Sequence, residues 1–269
     1  MFILILQQII QSWNPDKEED EAAVFLEDDI EVSPYFFHYV MWCARFYEMR
    51  GSGDRGLVGF SLYTPRVDET TLTSNPEDVI PWRPSSVLGA SRIFLSQIPC
   101  SWGAIFLPNH WRRFQRYYSA RREHRAEAFP LSLQLKSDTW EKSWKKFLIE
   151  YMALGGYYMM YPNFPHEASL STNHYEVGVH SFAAWHEPVI TNILREDPDE
   201  RFLVPLLQDT APFRQLPITP GEISEYVLPV VNLHHKLSSL AELQRTAQDY
   251  QKFLQKEIPT FPLFVNIVI

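Results

Sequence analysis

A chain of 269 residues is long enough for one large or two small domains. Its 45% hydrophobic content supplies a core and excludes disorder as the default state. A formal charge of −9, from 24 Lys and Arg against 33 Asp and Glu, excludes a general nucleic-acid binder, which needs a surplus of cations for phosphates. Aromatic residues make up 14%, which suits both sugar stacking and an ordinary core. Two cysteines, Cys43 and Cys100, cannot form a disulfide framework or a four-thiolate zinc site. They read as two buried thiols, with a single disulfide as the other option. No Asn-X-Ser/Thr sequon is present.

Met1-Phe2-Ile3-Leu4-Ile5-Leu6 is apolar, but Gln7 and Gln8 interrupt it. That is too short for a membrane span and lacks the flanks of a signal peptide. It reads as the buried face of a first helix ending near Trp13, with Asn14-Pro15 as its stop. Ala22-Ala23-Val24-Phe25-Leu26 reads as a fully buried strand of a mostly parallel sheet. Glu27-Asp28-Asp29 follows at its C-terminal end, where open α/β sheets bind ligands. Ser33-Pro34 then predicts a helix from about Pro34 to Met49, stopped by Gly51-Ser52-Gly53.

Leu57-Val58-Gly59-Phe60-Ser61 is the next expected strand, and residues 64 to 90 a long loop over a site. Pro108 opens a helix to about Arg125, bearing Arg112, Arg113, Arg116, Arg121, Arg122 and Arg125. Such forks could bind phosphate, but Arg121, Arg122 and Arg125 read as a solvated face. Asp138 is expected to cap a helix running to Leu154, closed by Gly155-Gly156, with a strand from Tyr157 to Tyr161 after it. After residue 200, recurring prolines suggest a segment wrapping the surface. Leu237 to Glu257 reads as a helix with Ser239 and Glu242 as a capping box. The expected division is therefore a catalytic domain over 1–200 and a Pro-rich tail with a helix over 201–269. The alternation of strands and helices implies α/β.

Glu27-Asp28-Asp29 is the pattern that carries chemistry. Transfer of a sugar from a nucleotide diphosphate leaves negative charge on the departing diphosphate, and a hard divalent cation held by carboxylates offsets it. An acidic turn after a strand can supply those oxygens, although it can also be a solvated turn.

Val24-Phe25-Leu26-Glu27-Asp28-Asp29-Ile30-Glu31-Val32-Ser33-Pro34-Tyr35-Phe36-Phe37 resembles the metal-motif segment of inverting glycosyltransferases with the GT-A fold. It looks especially like the N-acetylglucosaminyltransferases of N-glycan and O-mannose branching. It is closer still to uncharacterised fungal, algal and plant glycosyltransferase-like proteins. The resemblance implies Mn²⁺ or Mg²⁺ held by Asp29, with Asp28 assisting, and a nucleotide-sugar donor contacted by Glu27 and Asp28. Ser101-Trp102-Gly103-Ala104-Ile105-Phe106-Leu107 resembles the family's Gly-Trp segment, which places Trp102 and Gly103 at the donor. Trp102 could stack on a sugar face or be a core aromatic.

Ser137-Asp138-Thr139-Trp140 matches the segment that carries the family's catalytic Asp, so Asp138 is the implied base, with a helix cap as its other reading. In Asn173-His174-Tyr175-Glu176-Val177-Gly178-Val179-His180, the implied metal-side histidine is His180, then His174. His166 and His186 are weaker choices, and His234-His235 is expected at the surface. The likeness spans about residues 8 to 181.

The implied reaction is metal-dependent transfer of a hexosyl or N-acetylhexosaminyl group, with inversion, to a glycan or other hydroxyl acceptor. The implied setting is the Golgi lumen if an anchor lies upstream. Only 26 residues precede Glu27, too few for the family's amino-terminal nucleotide-binding strands. The chain is therefore expected to lack them. That shortfall keeps open a non-catalytic relative acting in protein interaction. A third class, a nucleotidyltransferase or phosphohydrolase, lacks its phosphate-cradling glycine loop.

Overall fold

The computed structural model of the chain describes residues 8–15, 21–50, 55–73, 80–123, 133, 135–140, 143–174, 204–219, 221–222 and 226–257. The strands are β1 (Ala23–Phe25), β2 (Ile30–Val32), β3 (Leu57–Ser61), β4 (Val67–Asp68), β5 (Ile80–Pro81), β6 (Ile93–Ser96), β7 (Ala104–Phe106), β8 (Tyr158–Pro162), β9 (Ser171–Asn173), β10 (Val230–Val231) and β11 (Leu237–Ser238). The helices are α1 (Phe36–Arg50), α2 (Pro84–Leu88), α3 (Pro108–Glu123), α4 (Trp144–Gly155) and α5 (Leu240–Glu257).

Seven strands form an α/β sheet in the order β1-β7-β3-β8-β6-β10-β11. The sheet is mixed, but the expectation that it is mostly parallel fails. Only β3–β8 and β6–β10 run parallel, and the other four neighbouring pairs are antiparallel. Parallel neighbours need a helical crossover. Here α3 and α4 lie between β7 and β8, which are not neighbours in the sheet.

Both faces of the sheet are covered, which is why all five residues of β3 are buried. Val58, Phe94, Phe106, Met159 and Tyr161 face the aromatic-rich side of α3 and α4, where Trp111, Phe114, Trp144 and Tyr151 close the layer. Phe60, Leu95, Ile105 and Met160 face Tyr39, Trp42, Cys43 and Phe46 of α1. Gly59 allows β3 to approach β7, because a Cβ there would collide with the Ile105 carbonyl. Cys43 and Cys100 are buried free thiols.

β1 departs from expectation. It is the edge strand, paired antiparallel to β7, and Val24 and Leu26 are 38% and 46% exposed. One side of β1 packs through Phe25 on Phe106 and Trp111, and the alternate side remains open.

α1 begins two residues later than predicted. Ser33 Oγ accepts the Tyr35 N–H at 3.1 Å and donates to the Leu207 carbonyl at 2.5 Å, so the turn is tied to a distant segment. α5 keeps half of its capping box. Ser239 Oγ accepts the Glu242 N–H at 3.2 Å, but the Glu242 carboxylate accepts from Ser238 Oγ instead of the cap backbone. The stretch after residue 200 also does more than wrap the surface. It supplies β10 and β11 to the central sheet, and α5 packs through Leu254 into the core. No helix among the described residues is long and apolar enough to cross a membrane.

Candidate functional site

The acidic triplet lies in a turn that changes sheets. β1 stops at Phe25, the Ile30 N–H donates to the Glu27 carbonyl at 3.2 Å, and β2 departs to pair with β9 in a separate ribbon. Asp29 therefore lies in the turn that follows β1. Glu27 and Asp29 are half-buried and Asp28 is exposed.

Glu27 faces a cleft of about 280 Å³ whose walls include Ile9, Phe25, Leu26, Ser101, Phe106 and Trp144. Its carboxyl pKa is pushed up to about 7. Burial is the largest cause and the charge of Asp29 the next, while Lys145 and a hydrogen bond from Trp144 oppose them. Asp29 is held differently. Its Oδ2 accepts the Asn173 Nδ2–H at 3.0 Å, and its carbonyl accepts the His174 N–H at 2.9 Å. Its Oδ1 is shielded from solvent and has no hydrogen-bond partner. It is the only carboxylate oxygen among the described residues in that condition. Asp29 thus carries a buried acceptor that calls for a partner.

Lys145, at the start of α4, connects the triplet to the Trp102 segment. Its Nζ donates to both carboxylate oxygens of Glu69, at 2.6 and 2.8 Å, and lies 5.6 Å from the Trp102 ring centroid. Trp102 is half-buried and packs edge-on against Tyr63. The Trp102 carbonyl accepts from Ser171 Oγ at 2.7 Å, and Gly103 turns the chain with φ of +86°. Glu27, Asp28, Asp29, Trp102 and Gly103 therefore share one neighbourhood.

Asp138 does not cap α4 but sits in a 3₁₀ turn, Lys136–Thr139, well before Trp144. Its Oδ2 accepts the Leu135 N–H at 3.2 Å and its carbonyl accepts from Lys146 Nζ at 2.9 Å. Its charge acts on Tyr250 of α5. His180 and His186 lie outside the described residues. His174 adjoins Asp29 through its backbone, but its ring Nε2 lies 2.7 Å from Glu31. His235 is buried, not superficial, with Nε2 3.3 Å from Asp68, and burial pushes its pKa down. Arg121 is likewise buried, paired with Glu150; the solvated-face reading fails for it because α3 turns that residue toward α4.

Lys145, Glu69 and Asn173 escaped the sequence reading. Lys145 falls inside the helix expected from Asp138 to Leu154 and carries no motif, and Asn173 is legible only as the neighbour of His174. No three His, Cys, Asp or Glu side chains gather to hold a metal among the described residues. The fit to a divalent cation rests on the orphaned Asp29 Oδ1. A scan against protein-family models and a search of curated proteins each find no match to the chain.

Proposed function

We propose that the chain is a metal-dependent glycosyltransferase of the GT-A type. It would move a sugar from a nucleotide-sugar donor to a glycan or other hydroxyl acceptor with inversion. The observation that supports this reading most is the buried, unpartnered Oδ1 of Asp29, one residue from the exposed Asp28 and two from the cleft carboxyl of Glu27. A bound Mn²⁺ or Mg²⁺ would offset charge on the leaving diphosphate. Asp29 would hold it, with Asp28 and His180 as further ligands from the resemblance. Glu27, Asp28, Trp102 and Gly103 would bind and orient the donor, and Phe25, Phe106 and Trp144 would exclude water behind Glu27. The base assignment to Asp138 rests on the resemblance alone.

Calorimetry of the purified chain with Mn²⁺ and a panel of nucleotide sugars tests this, with mass spectrometry of the products. Metal-dependent binding that Asp29→Ala abolishes supports it. A folded sample without such binding counts against it.

A second reading, protein interaction without catalysis, is favoured by exposed Val24 on the edge strand and exposed Leu26 just after it. Light scattering after size exclusion separates the two. Self-association or partner capture lost on Val24→Lys would support it, and a monomer with sugar-transfer activity would sink it.

A further inference from the structure

β9 carries two side chains that reach the two motif segments. Residues two apart on a strand share a face. Ser171 Oγ donates to the Trp102 carbonyl at 2.7 Å, and Asn173 Nδ2 donates to Asp29 Oδ2 at 3.0 Å. Thr172, between them, turns the other way and accepts the Val204 N–H at 2.9 Å. Ser171, Thr172 and Asn173 are all buried. The register is set by the β2–β9 pairing, Ile30 opposite Asn173 and Val32 opposite Ser171. A carboxylate needs a donor, so the amide of Asn173 presents its nitrogen to Asp29. That bond occupies Oδ2 and leaves Oδ1 as the oxygen without a partner.

We propose that Asn173 is a positioning residue for Asp29: it fixes the carboxylate so that Oδ1 alone is offered to a divalent cation. This rests on the metal-dependent reading above. Ligand-orienting hydrogen bonds of this kind typically change metal affinity by about 10–100-fold.

The test is Mn²⁺ affinity in the presence of UDP, read by electron paramagnetic resonance on the whole chain. Wild type, Asp29→Ala, Asn173→Ala, Asn173→Gln and Thr172→Val are compared. Thr172→Val controls for general weakening of the ribbon, since it removes a buried hydrogen bond from the same strand. The expected result is binding in wild type, none in Asp29→Ala, and roughly tenfold or greater weakening in Asn173→Ala. Asn173→Gln, which keeps an N–H donor, should bind more tightly than Asn173→Ala. Thr172→Val should match wild type. Equal affinity of Asn173→Ala and wild type overturns the inference while leaving the metal reading intact, as does equal loss in Asn173→Ala and Thr172→Val. No binding by wild type overturns the metal reading itself and this inference with it. If Asn173→Ala does not fold, Asn173→Gln against Thr172→Val decides, and equal affinities there overturn the inference.

Discussion

Asn173 and Asp29 are 144 residues apart, yet the Asn173 amide donates to the Asp29 carboxylate at 3.0 Å. The same carboxylate raises the pKa of Glu27, second only to burial. Asp29→Asn should remove that charge while its new side-chain carbonyl still accepts from Asn173. The Glu27 carboxyl should then titrate below about 7, moving toward its ordinary value of 4.5. Carbon-detected NMR titration of the glutamate carboxyls checks this, and an unmoved Glu27 would refute the coupling.

Glu27 also sets a pH dependence of stability. Its pKa is raised from 4.5 to about 7 on folding. Between those values the folded chain keeps a proton that the unfolded chain has released. Stability therefore falls as pH rises from 4.5 to 7, and the full penalty remains above 7. Glu27→Gln should escape it. The variant is expected to be roughly 1–3 kcal/mol more stable than wild type at pH 8, and about equal at pH 4. Denaturant melts at both pH values measure the difference, and a gain of the same size at pH 4 would point to packing instead.

Arg121 and Glu150 form an ion pair inside the α3–α4 layer, with N–O distances of 3.0 and 3.2 Å, and Tyr117 OH adds a 2.9 Å bond to Glu150. Removing one partner strands a buried charge. Arg121→Ala should cost about 3–5 kcal/mol, whereas Arg121→Met with Glu150→Leu should cost less than either single change. Urea unfolding of Arg121→Ala, of Arg121→Met, of Glu150→Leu and of the double variant tests this, and additive losses in the last three would show that the charges are not paired in solution.

Gly103 turns at φ of +86°, and a Cβ there would lie 2.9 Å from Ser171 Oγ. Gly103→Ala should destabilise by about 1–3 kcal/mol from backbone strain. Adding Ser171→Ala should recover only the part due to the clash. Thermal melts of the single and double variants read out both terms. No loss in Gly103→Ala would mean that the turn adopts another conformation.

The sequence by itself determined the local elements. The Leu-Val-Gly-Phe-Ser segment at 57–61 forms β3 as predicted, Pro108 opens α3, and Gly156 closes α4 in the left-handed region at φ of 62°. These features depend on short-range sterics and capping, which a few neighbouring residues decide. The acidic triplet, Trp102 and Gly103 were legible for the same reason, as short motifs beside recognisable elements.

Only the tertiary structure decided the rest. The alternation of strands and helices could not reveal that β7 returns antiparallel between β1 and β3, because neighbour choice depends on where long connections land. Nor could it show that β1 is an edge with Val24 and Leu26 exposed. Asp138 looked like a helix cap because Asp suits that position, yet the chain makes a 3₁₀ turn there first and begins α4 at Trp144. His235 and Arg121 looked solvated because polar residues usually are, but Asp68 and Glu150 accompany them in the interior. Lys145 reaches Glu69, and Asn173 reaches Asp29, only because the sheet, α4 and the β2–β9 ribbon bring distant segments together. Such contacts depend on long-range packing, which no local pattern of residues encodes.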